Sequence, residues 1–188
     1  MKNLICISAP SGSGKTTLCK VVRSVKPELI WSVSYTTREP RYGEVNGEDY
    51  NFISIIEFEK LIDKGELAEW ENVHGNYYGT VRSGLDDAIM KNKVVLLELD
   101  VNGTKSIQKL YPKNSHSIFI VPPSMDSLRT RLKKRGSETE ESIEKRLKRF
   151  KKEMALKDKF DTLLINDNIE VAKNEFLLKL NKIIKGVK

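Results

Sequence analysis

The sequence has little of what several classes of protein depend on. Its 188 residues include two cysteines and two histidines. This excludes the dense cysteines of a disulfide scaffold and the Cys/His pairs of a zinc site. No apolar run approaches the roughly 20 residues that span a bilayer. No arrangement of serine or cysteine with histidine indicates a covalent nucleophile. We therefore expect one globular domain in a reducing compartment, with no zinc and no membrane partner.

The first residues of the chain and its net charge narrow the expected compartment and partners. Met1 and Lys2 lead directly into an apolar run without the pattern of a signal peptide, and we expect a cytoplasmic protein. The net charge of +7 suits either a nucleic-acid-binding surface or a lysine-rich solvated surface with a basic anion site. Many lysines lie between Lys133 and Lys159, where they alternate with glutamates and no aromatic platform accompanies them. We therefore expect no nucleic-acid partner.

Strand patterns alternate with helix patterns along most of the chain. Strands are predicted at 4–8, 94–100, 117–121 and 162–166. Helices are predicted at 15–25, 84–92, 104–110 and 169–184. Most of these strands are continuous Val/Ile/Leu runs, which are typical of strands buried on both faces. The pattern predicts an α/β fold in which helices flank a parallel sheet.

Two stretches interrupt this alternation. Residues 33–80 are rich in Tyr, Trp and Gly and predict a small mixed α/β insertion, mostly antiparallel, with one helix that begins at a capping box of Ser54 and Glu57. Residues 124–157 predict a basic helical hairpin, which we interpret as a mobile lid. The core of the single domain then comprises residues 1–32, 81–123 and 158–188.

The most specific local motif is the run APSGSGKTT, between the first predicted strand and helix. Its glycines let consecutive backbone N–H groups turn toward one anion, and the helix adds its positive N-terminal end. Lys15 supplies a charge for the β and γ phosphates, and Thr16 a hydroxyl suited to Mg²⁺. An ordinary glycine turn is the alternative, but the strand, loop, Lys15 and Thr16 in register favour an ATP site. The predicted ATP-binding residues of this loop are Ala9, Pro10, Ser11, Gly12, Ser13, Gly14, Lys15, Thr16 and Thr17.

A second polar cluster lies in the insertion, where Arg38 and Arg41 flank Pro40. Two guanidinium groups that converge with a tyrosine hydroxyl can clamp a phosphate monoester, because each donates two parallel hydrogen bonds. Either arginine alone would be an ordinary surface residue. Beside a phosphate loop, the pair predicts a phosphate-bearing acceptor.

The sequence resembles the guanylate kinase family over nearly its whole length and in the family's order. The runs that carry the resemblance are APSGSGKTT, SVSYTTREPRYGEVNGEDYNF, EWENVHGNYYGT, LELDVNG, RGSETEESIEKRL and IND. The resemblance implies a P-loop kinase that uses ATP and Mg²⁺ to phosphorylate GMP and dGMP. By this resemblance, the GMP phosphate site is matched by Arg38, Arg41, Tyr50 and Tyr78. The site for guanine O6 is matched by Ser34 and Thr80. The site for the guanine N1–H and amino edge is matched by Glu69 and Asp100.

The lid and the last predicted strand carry further matches. By resemblance, Arg131, Arg135 and Arg146 fold over the transferring phosphate, and Asn166 lies near the donor adenine. The alternative for the arginines is a set of solvated salt bridges. Arg149 matches no family position, and we interpret it as a surface residue. The predicted catalytic residues are Lys15, Arg38, Arg131, Arg135 and Arg146.

Alternatives remain for the base-binding carboxylates, and three positions depart from the expected pattern. Glu69 could be a surface strand residue. Asp100 ends a buried strand, where other phosphate-loop enzymes use an aspartate to organise Mg²⁺. The departures are Ala9 for glycine, Thr80 for serine and Glu98 for aspartate.

Phosphoryl transfer between two nucleotides needs positioning and positive charge more than a nucleophilic side chain. Lid closure would exclude water, which otherwise hydrolyses ATP. Two other functions compete: a non-catalytic binding module of the same fold, and a kinase for another nucleotide or small phosphate ester. The intact Lys15 and arginine pair argue against the first, and Glu69 with Ser34 and Thr80 argues against the second. We expect a monomer or a weak homo-oligomer.

Overall fold

The computed structural model describes residues 2–10, 12–73, 75–122, 124–125, 129 and 140–186, and for 140, 142, 143, 145 and 146 it describes the backbone alone. The strands are β1 (Leu4–Ser8), β2 (Ile30–Trp31), β3 (Tyr35–Thr36), β4 (Asn51–Phe52), β5 (Leu67–Val73), β6 (Asn76–Val81), β7 (Val95–Glu98), β8 (Ser115–Val121) and β9 (Thr162–Ile165). The helices are α1 (Lys15–Val25), α2 (Ile55–Asp63), α3 (Arg82–Met90), α4 (Val101–Leu110), α5 (Glu140–Met154) and α6 (Ile169–Lys185), with a 3₁₀ turn at Lys157–Lys159.

A five-stranded parallel sheet forms the core, in the order β2-β7-β1-β8-β9. All five residues of β1 are buried, and the first four alternate between two apolar clusters. Ile5 and Ile7 pack in a cluster with residues of α1 and α6, whereas Leu4 and Cys6 pack with residues of α3 and α4. A parallel sheet covered on both faces needs such continuous apolar strands. The predicted α/β fold class is confirmed.

The predicted core elements differ from the observed ones mainly at their ends. Helix α1 has the predicted bounds. Helix α4 begins at Val101, earlier than predicted, because the Asp100 carboxylate caps its first turn by accepting from the Gly103 N–H at 2.8 Å. The two-residue strand β2 was not predicted, since its pairing with β7 is set by tertiary contact and not by a local pattern.

Residues between β3 and β6 form a second, four-stranded sheet in the order β4-β3-β6-β5. Its β3–β6 and β5–β6 pairs are antiparallel, and β3–β4 is parallel. The predicted capping box begins α2: Ser54 Oγ accepts from the Glu57 N–H, and the Glu57 carboxylate accepts from the Ser54 N–H. Phe58 then anchors α2, because it is fully buried and stacks on Tyr77 at 5.2 Å between ring centroids.

The second sheet packs on α4, the helix that follows β7, near the carboxyl ends of the parallel strands, where ligands gather in open parallel sheets. Strand β1 leads into the phosphate loop, and β7 leads into α4, against which β5 of the second sheet packs. None of the helices in the described ranges has both the length and the apolar character to cross a lipid bilayer.

We predict that Phe58→Ala lowers the free energy of unfolding by about 3 kcal/mol, because it removes a fully buried ring between α2 and the second sheet. Ile56→Ala is the matched control on the same helix, since Ile56 is 66% exposed and its loss should cost no more than about 0.5 kcal/mol. Urea unfolding followed by circular dichroism measures both. Equal losses would contradict the placement of Phe58 as the anchor of α2.

Candidate active site

The phosphate loop has the backbone geometry of an anion cradle. Gly12 and Gly14 have φ angles of +86° and +88°, a region that side chains with a Cβ rarely adopt. The first turn of α1 carries no acidic residue that would offset its positive end. A recess of about 240 Å³ lies against the loop. It is lined by the predicted residues Ala9, Pro10, Gly12, Gly14, Lys15, Thr16 and Thr17, while Ser13 is buried beneath it and Ser11 lies outside the described residues.

Asn166 supports this loop from below. It follows β9, is 2% exposed, and donates from Nδ2 to the Ser13 carbonyl at 2.7 Å. The same amide occupies the space that a Cβ on Gly14 would take. The side-chain amide of Asn166 thus supports the phosphate loop, a role that its sequence motif did not indicate. Its nearness to a donor adenine stays a prediction.

A second cavity of about 340 Å³ lies between the insertion and the core. It brings together most of the residues predicted for the acceptor and one from the phosphate loop. These are Ser34, Arg38, Arg41, Tyr50, Glu69, Tyr78, Asp100 and Lys15. The wall also includes Glu44, Glu71, Glu98 and Arg149, which were not predicted as site residues.

Glu44 organises the arginine pair. Its carboxylate accepts from Arg38 Nη2 at 2.9 Å and from the Arg41 backbone N–H at 2.7 Å. These contacts lower the pKa of Glu44 and raise that of Arg38, so both groups stay charged. The Arg38 guanidinium also lies over the Tyr50 ring at 5.4 Å from its centroid. The cluster therefore presents fixed positive charge to one end of the cavity.

At the other end of the cavity, Glu69 is partly buried beside Thr80. Burial raises the pKa of Glu69 from 4.5 to about 7; the Thr80 hydrogen bond opposes this shift, and the charge of Asp100 adds to it. Thr80 is itself buried behind the wall and donates its hydroxyl to Glu69 Oε1 at 2.7 Å. A hydroxyl has one proton, so in this arrangement Thr80 orients Glu69 and does not offer a donor to the cavity.

Glu71 is a second carboxyl beside Asp100. Its Oε1 accepts from Asn102 Nδ2 at 3.2 Å, and its buried Oε2 has no donor within reach among the described residues. Contact with the Asp100 carboxyl, together with burial, raises the pKa of Glu71 to about 7, because two carboxyl groups pair only when one holds a proton. Glu69 and Glu71 stand two residues apart on β5 and so share a face, a signal that could have identified Glu71.

Arg149, which was interpreted as a surface residue, is exposed but also lines the acceptor cavity, and this second placement was not predicted. Its Nε donates to Glu153 Oε1 at 2.7 Å, and its Nη2 lies 3.8 Å from Asp100 Oδ2, at the wall of the cavity.

Of the predicted lid arginines, Arg131 and Arg135 lie outside the described residues. The side chain of Arg146 lies outside them too, although its backbone belongs to α5.

The arrangement has an oxygen donor for a divalent cation at the phosphate loop. Thr16 lies in the first turn of α1 and lines both the loop recess and an adjoining cleft that contains Lys15 and Glu98. Within the described ranges, no group of three or more Asp, Glu, His or Cys side chains could hold a metal ion. A cation held by one hydroxyl, phosphate oxygens and water fits Mg²⁺, which rarely takes an all-protein cage.

Comparisons with known proteins all indicate one family. The family model described as guanylate kinase matches residues 1–185. The chain is 43% identical to the guanylate kinase of Carboxydothermus hydrogenoformans, over 92% of this chain and 84% of that protein. It is also 43% identical to that of Prochlorococcus marinus, over 97% of each. The crystal structure of guanylate kinase from Anaplasma phagocytophilum superimposes with a TM-score of 0.74 at 31% identity, covering 98% of this chain and 85% of that one.

We predict that Glu69→Gln raises the free energy of unfolding at pH 8 by roughly 1–2 kcal/mol and changes it little at pH 4.5. The value at pH 8 is smaller than the pKa shift alone would give, because Glu69 is partly exposed to solvent. The folded pKa of Glu69 lies above its ordinary value, so the folded state binds its proton more tightly. The contribution of Glu69 to wild-type stability should therefore fall as pH rises from about 4.5 to about 7. Urea midpoints between pH 4.5 and 8 measure this. The exposed Glu66→Gln is the control, and a pH-independent difference between wild type and Glu69→Gln would contradict the assignment.

Proposed function

The chain belongs to the guanylate kinase family, and we propose that it transfers the γ-phosphoryl group of ATP to GMP, and to dGMP, giving ADP and GDP. The observation that carries this proposal is one cavity that joins Lys15 of the phosphate loop to an arginine pair at one end and a partly buried glutamate at the other. Such a cavity suits a molecule with a phosphate at one end and hydrogen-bond donors at the other. Its proposed setting is the cytoplasm, in purine nucleotide metabolism.

On the donor side, the loop N–H groups, the α1 N-terminus and Lys15 would hold the phosphates of ATP. Thr16 would hold Mg²⁺ together with phosphate oxygens, and the ion supplies charge neutralisation of the transferring group. Lys15 already faces the acceptor cavity, where its Nζ lies 3.8 Å from Glu98 Oε2. It can therefore follow negative charge from the donor toward the acceptor.

On the acceptor side, Arg38 and Arg41 would bind the GMP phosphate, with Tyr50 and Tyr78 closing the same end of the cavity. The phosphate would share the arginines with Glu44, which keeps them in place while the site is empty of substrate. Fixed cations at this point hold the acceptor oxygen in line and offset the repulsion between the two phosphates.

Guanine differs from adenine in the hydrogen-bond donors that it presents to the site. Guanine presents N1–H and an amino group, whereas adenine has a bare acceptor at N1, so the Glu69 carboxylate would be left unpaired against AMP. Asp100 lies beside Glu69 and would share this edge, with Ser34 across the cavity toward O6. We propose that Thr80 contributes chiefly by orienting Glu69.

We propose further that residues 33–80 act as the acceptor-binding insertion and residues 124–157 as a lid whose arginines, Arg131, Arg135 and Arg146, close over the transferring phosphate. Closure would exclude water from the reacting ATP. The rest of the chain is the core that holds the phosphate loop.

A coupled ADP-release assay with ATP and Mg²⁺ tests the proposed reaction against GMP, dGMP, AMP, CMP and UMP. We expect rapid turnover with GMP and dGMP and little with the other acceptors. Absence of GMP turnover in folded protein would refute the proposal. A preference for another nucleoside monophosphate would assign the same fold to a different acceptor, and binding of GMP without turnover would identify a binding module.

We predict that Glu69→Gln raises the KM for GMP on the order of 10- to 100-fold, because it loses a charged acceptor for the base, and changes the KM for ATP less than about 2-fold. Steady-state kinetics with each substrate varied measures both constants. Glu66→Gln, an exposed change of the same kind nearby, should leave both unaltered. An equal rise in the two KM values would show that Glu69 does not face the acceptor base.

A further inference from the structure

Arg149 connects helix α5 to the base end of the acceptor cavity. The side chain is about half exposed, and different nitrogens of its guanidinium contact different partners. Its Nε donates to Glu153 one turn later on α5, at 2.7 Å. Its Nη2 lies 3.8 Å from Asp100 Oδ2, on the residue that caps α4. One guanidinium thus ties a helix of the lid region to the first turn of a core helix.

The base end of the cavity carries an excess of carboxyl groups. Glu69, Glu71 and Asp100 lie in its wall together, and Asp100 acts electrostatically on both of the others. Within the described part of the chain, the one ion pair of Asp100 is with Arg149. The same guanidinium also offsets the charge of Glu71. Without it, three acidic groups would face one another and a substrate that carries a negatively charged phosphate.

The hydrogen bonds of Asp100 leave a defined role for this ion pair. Oδ1 accepts from the Gly103 N–H at 2.8 Å, which fixes one oxygen at the start of α4. Oδ2 is the oxygen nearer Arg149. An ion pair at 3.8 Å is too long for a hydrogen bond, so it biases the orientation of the carboxylate and leaves its lone pairs open to a donor.

We propose that Arg149 is a positioning residue for the acceptor base. From helix α5 it holds the Asp100 carboxylate toward the cavity and balances the charge of the carboxyl groups there, so that the placement of α5 and the binding of guanine are linked. This inference rests on the proposed GMP kinase function.

The recess at the phosphate loop predicts which substrate is affected. Arg149 does not line that recess, which is formed by residues from Ala9 to Thr17. Loss of the Arg149 charge should therefore weaken GMP and spare ATP. An arginine that instead held the transferring phosphate would affect ATP and the catalytic rate as well.

The test compares Arg149→Gln, Arg149→Lys and Lys148→Gln with wild type. Lys148 is the matched control: it is an exposed cation on the same helix, next to Arg149 in sequence, and lines a different cavity. We expect Arg149→Gln to raise the KM for GMP 5-fold or more, with the KM for ATP within 2-fold. Arg149→Lys should recover most of the loss, because it restores the charge beside Asp100, and Lys148→Gln should behave as wild type.

Calorimetric titration with GMP alone separates this inference from the function on which it rests. If wild type neither binds nor turns over GMP, the proposed function fails. If wild type binds GMP and Arg149→Gln binds it equally well, the inference fails while the function stands. The inference also fails if Arg149→Lys is as impaired as Arg149→Gln, or if the KM for ATP rises in parallel. Thermal melting of each variant shows whether a loss reflects unfolding, and the lysine variant decides the question if Arg149→Gln does not fold.

Discussion

The pairing of β1 with β7 determines where both halves of the candidate site lie. The two strands run parallel in a register that sets Ile7 opposite Glu98, and the Leu99 N–H continues the ladder by donating to the Ile7 carbonyl at 3.1 Å. The chain leaves both strands at the same level, one toward the phosphate loop and the other toward α4. Lys15 and Asp100 therefore face one cavity. A slip of one residue would turn the apolar side chains of β1 to the opposite faces of the sheet, and the covering helices oppose it.

The second sheet depends on close contact with the first turn of α4. A Cβ on Gly103 would lie 2.7 Å from Glu69 Oε2, so the strand that carries Glu69 can approach α4 because that position is glycine. The same turn is capped by Asp100, and its N-terminal end favours negative charge. The carboxyl groups of β5 thus gather where the helix dipole partly offsets their repulsion. This explains how the fold tolerates Glu69, Glu71 and Asp100 in one place.

Local sequence signals were sufficient to predict much of the fold and the phosphate loop. The apolar run of β1, the bounds of α1 and the capping box at Ser54 each depend on neighbouring residues, and each was predicted. The contacts of Thr80 and Arg149 depend on which distant segments meet, so the sequence alone did not indicate them. Glu71 could have been identified from its two-residue spacing from Glu69 on β5, although its contact with Asp100 could not. The resemblance to a family identified residues that match its pattern. It assigned no role to Glu71, although this residue lies within the matched run EWENVHGNYYGT, and it offered no matching position for Arg149.

Positive and negative side chains occupy different parts of the acceptor cavity, and this distribution of charge bears on the orientation in which a substrate binds. Arg38 and Arg41 lie at one end, held by Glu44. Glu69, Glu71 and Asp100 lie together in another part of the wall, with Arg149 as a counter-charge. A nucleoside monophosphate has a dianionic phosphate, and guanine adds a donor edge on the far side of the ribose. Reversing it would bring the phosphate against acidic groups of which Glu69 and Glu71 titrate near pH 7, and the donor edge against cations. Charge alone therefore favours one orientation, and the hydrogen bonds of the base need only select among molecules that already point the right way.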